Sequence, residues 1–89
     1  MYEIRLYTAG RTPKSERAVR DLKVLLEGDF EGQYILQVID VMERPESAER
    51  DDVLATPLAI KVSPLPERRI IGDFTNKENV LKGLGIQRA

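Results

Sequence analysis

The 89-residue sequence contains no cysteine, no histidine and no tryptophan. Without cysteine there is no disulfide, no thiolate nucleophile, no redox-active dithiol and no thiolate metal site. Without histidine the commonest general base and the commonest metal ligand are also missing. Neither sign of charge is in excess, since 14 Lys and Arg stand against 15 Asp and Glu for a net charge of −1. No overall field therefore draws the chain to nucleic acid or anionic lipid, and a protein partner is expected instead. No window approaches the ~20 apolar residues of a membrane span, and residues 1–5 lack the apolar region of a signal peptide, so no membrane partner and a cytoplasmic location are expected. What is present, 42% hydrophobic and 33% charged residues, suits one α/β or α+β domain over residues 1–89 with a modest core.

Residues 3–7 alternate, with Ile4 and Leu6 on one face and Glu3, Arg5 and Tyr7 on the other, which predicts a strand. Thr12 offers an N-cap hydroxyl before Pro13, whose fixed φ suits the first helical position. From 15 to 27 the apolar residues Ala18, Val19, Leu22, Leu25 and Leu26 recur at helical spacing. Glu16 with Arg20 and Arg17 with Asp21 form i,i+4 opposite-charge pairs, and Gly28 is the expected residue just past the helix end. Residues 34–41 are nearly continuously apolar, as expected for a strand covered by helices, and complete a right-handed βαβ unit. Five acids and two arginines fill 43–52, which predicts only a short, solvated helix. Residues 58–62 and 68–71 read as a hairpin around Ser63-Pro64-Leu65-Pro66. Thr75 to Glu78 matches a capping box ahead of the stripe Val80, Leu81 and Leu84. That last helix, about nine residues long and containing Gly83, is too short to be stable alone and depends on docking.

The resulting order, βαβαββα, resembles that of thioredoxin-like domains, which directs attention to the N-terminus of the first helix, where such folds carry a reactive thiol. Here that window offers only the hydroxyls of Thr12 and Ser15 with no histidine to take a proton, so both read as capping groups. Thr56-Pro57 stands where these folds place a cis-proline, which makes Thr56 a candidate contact for a peptide backbone. Gly10 and Gly72 lie in no phosphate-binding pattern and serve turns. The acids of 43–52, interleaved with Arg44 and Arg50, read as a solvated face rather than a metal site. Arg68 and Arg69 read as basic residues guarding a strand edge. No cofactor and no metal are expected.

Taken together, Leu6-Tyr7-Thr8-Ala9-Gly10, Thr12-Pro13, Ser15, Arg17-Ala18, Val38-Ile39-Asp40-Val41, Ala55-Thr56-Pro57 and Arg68-Arg69-Ile70-Ile71-Gly72-Asp73 resemble the KaiB family of circadian clock proteins, in order and almost end to end. The resemblance implies a protein that is not an enzyme, that binds the N-terminal ATPase ring of KaiC, sequesters KaiA, and competes with a histidine kinase carrying a KaiB-like sensor domain. It also implies metamorphism between a ground fold, often tetrameric, and a thioredoxin-like monomer competent to bind, the two differing in the second half of the chain. The matching partner-binding positions are Arg17, Arg20, Gln33, Tyr34, Ile35, Leu36 and Gln37, with Thr56 added from the thioredoxin-like resemblance. Candidate switch positions are Tyr2, Pro57, Pro64, Pro66, Gly83 and Gly85.

The chain departs from the family pattern at Arg11, where Asn is common, at Asp52, where Lys is common, and at Gly85, where clock members carry Asp; an acidic C-terminal tail is also missing. These departures, with the terminal capping signal, lead to the expectation that the thioredoxin-like monomer is the major state. Two other readings compete: a KaiB-like protein serving stress response or signalling outside the clock, and a thiol-independent thioredoxin-like enzyme that handles glutathione. Lack of cysteine and histidine weighs against the enzyme.

Overall fold

The computed structural model describes residues 1–87. Its elements are β1 (Tyr2–Thr8), α1 (Pro13–Phe30), β2 (Tyr34–Asp40), α2 (Pro45–Arg50), β3 (Leu58–Ser63), β4 (Arg68–Ile71) and α3 (Lys77–Leu84), the order expected from the sequence. One four-stranded sheet runs β2-β1-β3-β4, parallel between β1 and β2 and antiparallel elsewhere.

The sheet has a core on each face, and the two faces of the first strand are those its alternation predicts. Ile4 and Leu6 pack with Ala18, Leu22, Leu26 and Phe30 of α1 and with Val80, Leu81 and Leu84 of α3. The opposite face buries Tyr7, Ile39, Leu58 and Ile60 against Ala48 and Val53. Tyr7, on the face opposite Ile4 and Leu6 as alternation places it, is fully buried. Its ring fills the second core, while its hydroxyl donates to Asp51 and to the Ser47 carbonyl (3.2 Å).

The expectation that helices would cover the second strand fails. β2 is an edge strand, with Ile35 52% and Val38 44% exposed. Its apolar run reflects two half-covered faces rather than two buried ones, because only Ile39 reaches full burial.

Thr12 caps α1 as expected, its hydroxyl oxygen accepting from the Ser15 amide at 3.1 Å. Thr12→Ala should cost about 1 kcal/mol, read as a lower chemical-denaturation midpoint with an unchanged slope. Gly28 does not end this helix, which continues to Phe30. Burial of Phe30 holds the last turn, and the positive φ the chain needs falls at Gly32 (75°). Nor do the two i,i+4 charge pairs close into ion pairs.

The last helix begins one residue later than its sequence signal. Asp73 accepts from the Thr75 amide at 2.8 Å, drawing Thr75 into a turn, and Asn76 takes over as cap by accepting from the Asn79 amide at 3.1 Å. At the other end Gly85 adopts the left-handed conformation (φ 65°), and the Ile86 amide donates to the Leu81 carbonyl at 2.9 Å. This closes a Schellman-type cap over a buried Ile86.

Candidate partner-binding surface

A concavity lies between α1 and the turn after β4. The Thr12 cap and Pro13 start α1 so that Ala18 and Leu22 face the sheet, which leaves Lys14 and Arg17 on the outer flank. They form one wall of a groove of about 280 Å³ with Ala18 and Asp21; the other wall is Gly72, Asp73, Phe74 and Thr75, with Pro57 alongside. Asp73 is held below the usual carboxylate range, first by its hydrogen bonds with Thr75 and then by the nearby Arg17 guanidinium. Asp21, Phe74 and Thr75 continue into a neighbouring depression lined also by Arg20, Val24, Gly28 and Lys77. A Lys77–Asp29 ion pair at 2.6 Å ties α3 to the end of α1 there.

The residues nominated from the sequence thus fall into two patches. Arg17 and Arg20 line the groove and its extension, and Thr56 sits beside Pro57, whose preceding peptide bond is cis. Gln33, Tyr34, Ile35, Leu36 and Gln37 lie instead along the β2 edge, across the sheet from β3 and β4. The Tyr34 hydroxyl donates to Glu27, and that bond, then partial burial, pushes its pKa up to about 12. The start of β2 is thereby pinned to α1, while Ile35 and Gln37 remain open to solvent.

The nominated switch positions scatter. Tyr2 packs edge-to-face on Phe30 (centroids 5.7 Å apart, 88°), and its hydroxyl donates to the Gln87 carbonyl at 3.3 Å. Pro64 and Pro66 stand in the exposed β3–β4 turn, both after cis peptide bonds. Gly83 presses against Ile70, and Gly85 is the left-handed cap of α3.

Sequence reasoning missed the groove's second wall. Its only signal was Gly-Asp directly after a strand, a turn signature that names no neighbour. Thr12 and Ser15, examined as nucleophiles, are a cap and a buried hydroxyl bonded to each other at 3.1 Å. Among the described residues no cluster of three or more acids is placed to hold a metal ion, and no helix is long and apolar enough to cross a membrane.

The KaiB domain family model matches residues 5–86. The chain belongs to the KaiB family. Circadian clock oscillator protein KaiB of Synechococcus elongatus is 54% identical to it over 85 residues, 96% of this chain and 83% of the relative. The protein of the same description from Thermosynechococcus vestitus is 53% identical, covering 96% of this chain and 79% of the relative. Among solved structures, the N-terminal domain of Synechococcus elongatus SasA superposes with a TM-score of 0.76 at 25% identity, over 99% of this chain and 87% of that one. Mitochondrial thioredoxin 3 of Saccharomyces cerevisiae reaches 0.70 at 22% identity, over 94% and 76%, a likeness of fold alone. This KaiB-family chain therefore has a thioredoxin-like fold with a β4–α3 second half, and it carries no cysteine anywhere.

Proposed function

We propose that this chain, acting over residues 1–89 as one binding module, is a non-enzymatic component of circadian timing that docks on the N-terminal ATPase ring of a KaiC-type partner in the cytoplasm. One observation carries the reading: Arg17 and Arg20 stand on the open flank of α1, both lining connected concavities and neither closing an ion pair within its helix. Cations not paired within their own helix are available to acids of a partner, and such contacts act on encounter rate and specificity. The β2 edge, from Gln33 and Tyr34 through Ile35, Leu36 and Gln37, supplies a second contact, where unpaired main-chain groups can meet an added strand. It suits KaiA sequestration, and a histidine kinase bearing a KaiB-like sensor domain would compete for the same ring. The family's change of fold belongs to the proposal as well: the thioredoxin-like monomer is the binding state, and a tetrameric ground fold is its alternative.

The test is native mass spectrometry of the chain alone and with a KaiC-type ring. The expected results are a monomer alone and a stoichiometric complex with the ring. Arg17→Glu with Arg20→Glu should weaken that complex at least tenfold while leaving the circular dichroism spectrum intact. Undiminished affinity of the double variant would remove the α1 flank from the interface.

A further inference from the structure

Lys61 sits on β3 with only 3% of its surface exposed. It stands directly opposite Arg68 in the β3–β4 ladder, so two cations share one face of the sheet, an arrangement that is destabilising by itself. Neither makes an ion pair with a carboxylate among the described residues. What faces them is the C-terminal end of α3: Lys61 Nζ donates to the Gly85 carbonyl at 3.4 Å, and a Cβ placed on Gly85 would lie 3.5 Å from Arg68 Cγ. The last carbonyls of a helix carry its negative partial charge, which a nearby cation stabilises. α3 needs such help, because eight residues with an internal glycine do not hold a helix alone.

We infer that the buried Lys61 ammonium is a latch that holds residues 72–87 closed against the sheet as a strap. The segment is bounded for such motion by Gly72 (φ 97°) at its root and by Gly85 (φ 65°) at the latch point. Gly72 to Thr75, the root of the strap, is also the second wall of the groove beside Arg17. The latch therefore governs whether that groove has two walls or one, whichever partner occupies it. Arg68, exposed at its rim, reinforces the positive potential without being buried.

Hydrogen exchange on the full chain tests this, since it reports local opening apart from global unfolding. Lys61→Met keeps the methylene packing and removes the charge and the donor. Protection of amides 74–86 should fall roughly tenfold, as for loss of one charged hydrogen bond, while β1 and α1 keep theirs. Lys61→Arg should restore protection to within about threefold of the parent, because the charge and a donor return. Unchanged protection in Lys61→Met, an equal loss across β1 and α1, or a Lys61→Arg chain as open as Lys61→Met would each overturn the latch.

Discussion

Substituting Gly83→Val should undock α3 and lower the melting temperature by roughly 10 °C, the equivalent of about 2 kcal/mol in a domain of this size. A Cβ at position 83 would lie only 2.3 Å from Ile70 Cγ2, far inside van der Waals contact. Replacing a helical glycine ordinarily gains up to about 1 kcal/mol of helix propensity, but forcing methyl groups into a filled contact costs about 1–3 kcal/mol. Ile70 is β-branched, with few rotamers to retreat into. Combining Gly83→Val with Ile70→Ala should recover at least half of the loss in thermal denaturation, since the two residues share one contact. A single variant that melts like the parent would show that Ile70 can move aside.

A second large effect is expected at the polar cluster beneath α2. Asp51 accepts from Tyr7 and pairs with Arg5 at 3.1 Å, and Tyr7 also donates to the Ser47 carbonyl. The six-residue α2 has no side-chain N-cap, so these bonds, with Ala48 and Val53 in the second core, hold it to the sheet. Asp51→Ala should cost about 2 kcal/mol, because it takes the carboxylate from the half-buried Arg5 guanidinium and leaves the buried Tyr7 hydroxyl with the Ser47 carbonyl as its remaining acceptor. Urea denaturation would read this, and a loss below about 0.5 kcal/mol would remove the cluster from the stability of the fold.

The same cluster sets a pH window. Burial works against the Asp51 charge, but the Tyr7 hydroxyl and the Arg5 guanidinium outweigh it and hold the carboxyl below its ordinary 3.8. Its contribution is complete above that value and disappears as pH falls through the lowered one. Tyr7 is raised above 10.0, chiefly by burial and then by its bond to Asp51, so its contribution is complete below 10.0 and is lost as pH climbs through the raised value. Stability measured against pH should show both flanks in the parent and a reduced acid flank in Asp51→Ala.

The two cores explain where sequence reading succeeded. Ile4 and Leu6, the α1 stripe and the Val80-Leu81-Leu84 stripe all face the larger core, and their periodicities name elements and order together. Tyr7 escaped because alternation identifies two faces of a strand but does not say whether the second is wet. Residues 34–41 escaped for a related reason, since a run of apolar residues suits a central strand and also an edge strand whose faces are each half covered. Gly28 was read as the end of α1 and Thr75 as the start of α3, but burial of Phe30 and the Asp73 turn moved both boundaries. The α1 flank of the candidate site was legible through Arg17 and Arg20, whereas its second wall, contributed from residues 72–75, was not.

By itself, then, the sequence determined the elements, their order, the absence of thiol and imidazole chemistry and the KaiB-family motifs, because local spacing and residue chemistry suffice for these. Tertiary structure alone decided that β2 is an edge, that Tyr7 and Asp51 meet across 44 residues, that Gly83 touches Ile70 and that Lys61 reaches the end of α3. Each of these depends on which distant segments share a face, and that follows only when the whole chain buries its apolar surface together.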